Sequence, residues 1–311
     1  MGERVERNQG GVAVQEVVAP VTPPPGWRRR LSTRRLGHFA LLLPTLVITA
    51  TCFVIPLVLI AVYSFGSINL INFDVYFGWT TQNYRDFTSS LYLHTLARSV
   101  FLSLSTTLAC AVLGFIFAYY ISRQSPRAQR LLLVAVIVPF WTSFIVRTYA
   151  WVDLLQNLGP IDRFARALGM HGHIDLLYTP YSIGIGILYS YLPLMILPIY
   201  VSLERIDPAL YDASADLGAT PWRQFRRVVL PHAVPGLIAG IIIVGVPALG
   251  EYVIPEILGG GKTLMAGNLL ANQFLDTGNY PFGSALAVTV MVVLMVMLFL
   301  LRRAQPQADV P

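Results

Sequence analysis

Long apolar blocks separated by short polar stretches dominate this chain. Six blocks stand out, at 36–65, about 93–122, 131 to about 155, about 179–203, about 231–257 and about 282–301. At about 1.5 Å of rise per residue, each is long enough to cross a hydrocarbon layer of about 30 Å. The pattern predicts an all-α membrane protein with six transmembrane helices over 36–303. A polar, proline-rich tail precedes them over 1–35, and a short tail follows over 304–311. The first tail ends in clustered arginines and reads as a disordered segment with a basic anchor. Its long polar lead does not fit a cleavable signal peptide. Prolines at 44, 56, 139, 193, 198 and 247 punctuate the blocks. Kinked spans are tolerated where neighbouring helices satisfy the freed backbone, and they suit a pathway wall better than a plain anchor.

Composition agrees with this picture. Hydrophobic residues make up 55% of the 311 and charged residues only 12%, whereas soluble domains carry about one quarter charged residues. The net charge of +6 does not point to nucleic acid, because the basic residues flank the apolar blocks. With the N-terminus inside, sixteen Lys and Arg fall on the inner side and four on the outer. The positive-inside rule therefore puts both termini and the 206–231 loop in the cytoplasm. Cys52 and Cys110 lie in apolar blocks and read as small buried hydrophobes rather than a disulfide or metal site.

The 206–231 loop is the one polar break in the second half that looks built. Asp207-Pro208 reads as a helix cap followed by proline at the first helical position. A short helix is expected to about Leu217, with Gly218 at its stop. Thr220-Pro221 repeats the start signal for a second short helix carrying Trp222, Arg223, Phe225, Arg226 and Arg227, and Pro231 opens the next apolar block. Asp212-Ala213-Ser214, Gly218 and Val228-Val229-Leu230-Pro231 keep the spacing of the cytoplasmic loop of bacterial binding-protein-dependent ABC importer permeases. The chain resembles that family, with Asp for Glu, Ser for the second Ala and Val for Ile. The resemblance implies a type I ABC importer permease fold. It also implies a coupling helix that sits in a groove on a cytosolic ATPase, with Asp212, Ala213, Ser214, Asp216, Gly218, Arg223, Leu230 and Pro231 as the coupling residues.

Other motifs carry less. Gly259-Gly260-Gly261-Lys262-Thr263 lacks the glycine a phosphate loop needs, since Glu256 holds that position, and it reads as a turn after the fifth block. His171, His173 and Asp175 are too loosely spaced for a metal site. No catalytic constellation is evident, so neither an enzyme nor a cofactor is expected. Charges within spans are different, because each costs roughly 2.5–3.5 kcal/mol at a helix centre. Arg147, Asp153, Glu251 and the adjoining Tyr252 are thus candidates for a translocation pathway. For Arg147 a structural ion pair competes with a transport role, Asp153 also fits the outer surface, and Glu251 favours the pathway because Pro247 and Gly250 open the helix beside it. The aromatic residues Trp141, Phe144, Tyr149 and Trp151 fit either an interfacial belt or a surface for organic cations.

Five further stretches are similar to polyamine (spermidine/putrescine) permeases of this class: 139–151 (PFWTSFIVRTYAW), 203–208 (LERIDP), 247–260 (PALGEYVIPEILGG), 267–270 (GNLL) and 281–283 (PFG). This resemblance covers about 38–303. It implies a half-channel with no chemistry of its own, set in a bacterial inner membrane among lipid. Its partners would be a second homologous permease, two copies of a cytosolic ABC ATPase and a soluble extracytoplasmic substrate-binding protein. The alternative within this class is a permease for another small organic solute, such as an opine or an amino-acid derivative. An ion-coupled secondary transporter would need no docking loop, and a membrane enzyme would need clustered catalytic groups.

Overall fold

The computed structural model describes residues 27–69, 72, 74–169 and 175–303. The chain divides into two units, 1–57 and 58–311. The described part of the first unit belongs to α1 (Trp27–Tyr63), which keeps Pro44 and Pro56 inside it. The helix takes in residues 27–35, which the sequence reading placed in a disordered tail. It starts where the Pro23-Pro24-Pro25-Gly26 run ends, since nothing between Trp27 and Arg35 blocks a helix. Residues 1–26 and 304–311, where the rest of both tails falls, lie outside the described residues, as do His171 and His173.

The second unit opens with the last turns of α1, followed by a small antiparallel hairpin, β1 (Ser67–Asn69) and β2 (Asp74–Tyr76), with Ile68 opposite Val75. Helices follow: α2 (Gln82–Phe87), α3 (Ser90–Ser122), α4 (Pro126–Ile137), a 3₁₀ turn (Val138–Trp141), α5 (Phe144–Leu155), α6 (Pro160–Ala167), α7 (Pro180–Glu204), α8 (Pro208–Asp216) and α9 (Pro221–Gln224). A π-turn (Phe225–Val229) leads into α10 (Leu230–Gly250), then α11 (Val253–Gly259), α12 (Ala266–Leu275) and α13 (Tyr280–Arg303). Among the described residues five stretches are long and apolar enough to cross a membrane: Leu43–Tyr63, Leu91–Ser122, Pro180–Glu204, Pro221–Gly250 and Tyr280–Leu301. A sixth is present if the bent pair Pro126–Trp141 and Phe144–Ala167 counts as one span.

That bent pair differs from the expected single third helix, for it turns by 92°. Pro139 starts the break, and Thr142 completes it by taking an extended backbone (ψ 151°). The Thr142 hydroxyl donates to the Pro139 carbonyl at 2.7 Å, which satisfies a group the helix has released. The fifth block also differs. It does not begin at Pro231, because α9, the π-turn and α10 follow one another without a break. Pro231 cannot donate and crowds the turn before it, and the wider π-turn absorbs this as the Leu230 N–H donates to the Phe225 carbonyl. The block also stops early, since Glu251 is extended (φ −64°, ψ 129°) after Gly250 and α11 is a separate helix.

The main core lies where α3, α7 and α10 meet, around Cys110, Ala118, Ile121, Met195, Ile199, Leu203, Val229, Ala233 and Val244. Small residues let these backbones approach, as is usual between membrane helices. A β-carbon at Gly236 would collide with the Pro198 carbonyl oxygen, so the α7–α10 contact requires glycine there. A second core, around Leu155, Ile183, Ile187, Ala248, Ile254, Leu258 and Met265, packs α11 against α5 and α7. Cys110 is buried as expected, whereas Cys52 is exposed on α1.

Candidate functional site

The loop after α7 forms a braced lever. Asp207 caps α8 by accepting from the Ala209 N–H at 2.8 Å. At the other end the Gly218 N–H donates to the Ala215 carbonyl at 2.8 Å and the Ala219 N–H to the Ser214 carbonyl at 3.0 Å. This closure places Gly218 at φ +71°, the left-handed region that favours glycine. Thr220 then caps α9 by accepting from the Arg223 N–H at 3.4 Å.

One face of α8 is held by the rest of the unit. The Gln224 side-chain amide donates to the Tyr211 carbonyl at 3.0 Å and to the Ser214 hydroxyl oxygen at 2.7 Å. The Ser214 hydroxyl in turn donates to the Tyr211 carbonyl at 2.8 Å. Arg123, at the end of α3, sits over the Tyr211 ring with its guanidinium carbon 4.6 Å from the centroid. Burial pushes the Tyr211 phenol above its ordinary range, although Arg123 pulls the other way. Phe225 meets Phe115 and Tyr119 of α3 edge-on at 5.7 and 6.0 Å, and stacks on Trp222 at 5.5 Å. The opposite face of α8 is open: Asp212, Ala213 and Asp216 are exposed, and Leu217 is 87% exposed.

The other expected coupling residues are placed differently. Arg223 is exposed and shares with Thr220, Trp222, Arg226 and Arg227 a cavity of about 530 Å³. Leu230 and Pro231 lie in the continuous helix after the π-turn, and both are exposed. Sequence reasoning missed the tethers Tyr211, Gln224 and Arg123. The only signal was Tyr211 and Ser214 at a spacing of three, which shares one helix face.

The expected pathway residues do not form a single cluster. Glu251 is 8% exposed and fully engaged. One carboxylate oxygen accepts from the Tyr191 hydroxyl at 2.6 Å, and the other from the N–H groups of Val253 and Ile254 at 3.0 and 3.4 Å. The residue thus joins α7 to the start of α11. Tyr252, beside it, is half-exposed and borders a cavity of about 270 Å³ with Gly250, Gly267 and Leu270. The Tyr252 carbonyl accepts from the Asn268 side chain at 3.2 Å, which fixes the break between α10 and α11. A β-carbon on Gly267 would strike the Glu251 carbonyl, so α12 packs backbone to backbone against this break.

Arg147 does not pair with Glu251. The Phe140 ring centroid is 4.8 Å from its guanidinium carbon and the Phe144 centroid 5.9 Å. Its Nε and one terminal nitrogen are buried with no hydrogen-bond partner. Asp153 is exposed and accepts from Gln156 at 3.5 Å. The aromatic residues split across the bend. Trp141, before it, is 81% exposed and Tyr149 is exposed, whereas Trp151 meets Tyr189 of α7 edge-on at 5.5 Å.

Comparison with known proteins follows the same lines. Residues 110–308 match the family described as binding-protein-dependent transport system inner membrane component. The spermidine/putrescine transport system permease protein PotB of Escherichia coli (strain K12) is 37% identical over 227 residues, covering 73% of this chain and 82% of that protein. The fold is similar to a chain of a bacterial ABC transporter for import of the acidic polysaccharide alginate, with a TM-score of 0.72 at 16% identity over 90% of this chain and 99% of that one. It is also similar to a chain of a bacterial alginate ABC transporter in complex with an alginate pentasaccharide-bound periplasmic protein, with a TM-score of 0.70 at 15% identity over 89% and 96%. With its helical fold, apolar spans and braced loop, this chain belongs to the binding-protein-dependent transport system inner membrane components.

Proposed function

We propose that the chain is a permease subunit of an ATP-driven importer for polyamines of the putrescine and spermidine type. The observation that carries this is α8, tethered on one face and open on the other. Such a helix passes a push from a docked partner into α3 and α10, since Gln224, Arg123 and Phe225 join it to both. The occupant of the open face is a cytosolic ATPase, paired with a second ATPase under a second homologous permease. A soluble extracytoplasmic binding protein delivers the cargo. Both termini and the α8 face lie on the cytoplasmic side, as the distribution of arginines supports.

Cargo passes the break between α10 and α11. The C-terminal end of α10 carries a partial negative charge, and the Glu251 carboxylate adds to it. Tyr252 offers a ring beside the 270 Å³ cavity. Together they attract an organic polycation that has shed part of its hydration. Arg147 takes no part in holding such a cargo, because it would repel it.

Uptake by the reconstituted assembly tests this reading. Proteoliposomes holding both permeases and the ATPase, supplied with binding protein, accumulate labelled putrescine or spermidine only with ATP. Accumulation without nucleotide would point to an ion-coupled carrier. ATP-driven uptake of an opine with no competition from polyamines would overturn the cargo.

A further inference from the structure

Arg223, Arg226 and Arg227 stand together at the start of the span Pro221–Gly250, around a cavity of about 530 Å³ that Thr220 and Trp222 complete. That volume falls among ligand pockets, at about 300–1,000 Å³. All three arginines are exposed, and no acidic residue lines the cavity. Among the described residues the one ion pair is elsewhere, between Asp162 and Arg166 of α6. Three cations within five positions repel one another, and an anion set among them offsets that repulsion. Trp222 is 69% exposed, and its ring is held at the cavity by stacking on Phe225.

The surroundings select the kind of anion. One turn beyond the arginines the helix becomes apolar but does not turn inward, since Leu230, Pro231 and Pro235 are all exposed. Pro231 and Pro235 are four residues apart and share a face. A cationic pocket that runs directly into exposed apolar surface, at the end of a membrane span, matches a phosphate headgroup joined to an acyl chain. A free anion leaves the apolar part bare. A cytosolic protein does not follow the helix into the hydrocarbon layer. Trp222 fits the same depth, because tryptophan settles at the headgroup level of a bilayer.

We propose that Arg223, Arg226 and Arg227 bind the phosphate headgroup of an anionic phospholipid in the cytoplasmic leaflet. Trp222 lies beside the glycerol, and Leu230 and Pro231 lie against the upper part of the acyl chain. Guanidinium forks match phosphate oxygens with two parallel hydrogen bonds. A zwitterionic lipid binds less well, because its own ammonium faces three guanidinium groups. The site rests on the membrane orientation given by the arginines and is independent of the cargo.

Trp222 reports on the site directly. In the full chain, with Trp27, Trp79, Trp141 and Trp151 replaced by phenylalanine, it is the single tryptophan. The purified chain in phosphatidylcholine nanodiscs is titrated with phosphatidylglycerol brominated high on its acyl chains, or with phosphatidylcholine brominated at the same carbons. Each arginine near an anionic surface is worth about fivefold. Half-maximal quenching by phosphatidylglycerol is therefore expected at a mole fraction at least about tenfold lower than by phosphatidylcholine. Arg226→Gln with Arg227→Gln should erase most of that difference, whereas Arg226→Lys with Arg227→Lys should keep most of it. Equal quenching by the two lipids in the chain with its arginines intact overturns the proposal, and this comparison needs no arginine variant to fold. A preference that survives the double glutamine variant overturns it as well. Millimolar inorganic phosphate that protects Trp222 from the brominated lipid assigns the pocket to a soluble anion instead. Equal quenching together with loss of ATPase pull-down in the double glutamine variant assigns the arginines to the ATPase.

Discussion

At Glu251, charge and structure separate cleanly. The carboxylate caps the two first N–H groups of α11 and accepts from Tyr191, so it holds the break between α10 and α11 together. Glutamine preserves this geometry, with its oxygen toward the backbone N–H groups and its amide toward the Tyr191 oxygen. Glu251→Gln therefore removes the charge and leaves the fold. Uptake at limiting polyamine should fall about tenfold while assembly and basal ATP hydrolysis persist. Normal uptake by a stably assembled variant would remove Glu251 from the pathway. Glu251→Ala is a different experiment, because it strands one hydroxyl and two N–H groups at about 1–3 kcal/mol each. The sequence pointed to Glu251 because a charge in an apolar block is conspicuous. Its partners were illegible, since Tyr191 is sixty residues away on α7. The pairing of Arg147 with Glu251, left open by the sequence, fails for the same reason: nothing local says which distant group reaches a carboxylate first.

For the elements, capping chemistry was the most readable layer. Asp207-Pro208 and Thr220-Pro221 start α8 and α9, and Gly218 stops the first. The course of the second helix was not readable. Pro231 looked like a boundary, but the π-turn before it widens and the helix runs on. Pro139 was no more readable, being one of several prolines in the apolar blocks. Pro193, Pro198, Pro235 and Pro247 all stay inside helices, while the helix breaks just after Pro139, where the Thr142 hydroxyl donates to the Pro139 carbonyl. At Gly218 a β-carbon would meet nothing within 4 Å, so any cost of substitution is purely conformational. Gly218→Ala should cost about 1–2 kcal/mol locally and slow ATP-driven uptake only modestly. Gly218→Pro cannot take φ +71° and also deletes the N–H that bonds to Ala215. It should abolish uptake while the chain still inserts and assembles, as read by pull-down with the second permease. Wild-type uptake in both variants would show that the α8 corner does not transmit the stroke.

Across the whole molecule, the chain divides its labour along its length. The contacts of α3, α7 and α10 make the main core, and the Gly236 contact with Pro198 leaves no room for a side chain between α7 and α10. The α10–α11 break is closed by the engaged Glu251 carboxylate, and α8 stands out beside that core with one face open. Five of the six expected spans, the composition and the α8 handle were legible because each depends on local sequence: apolar length, charge density and caps. The tethers that make the handle stiff were not, because Arg123, Tyr211 and Gln224 come from three elements. The central claim is that the open face of α8 lies in the cytoplasm under an ATPase. Leu217, exposed at the tip, is the place to test it. With Cys52 and Cys110 replaced, Leu217→Cys should resist a membrane-impermeant thiol reagent in intact cells and react once the cytoplasmic side is opened. Its reaction should slow at least about tenfold when the ATPase is bound, as expected for a fully covered contact. Labelling from the outside, or equal labelling with and without the ATPase, would contradict the account.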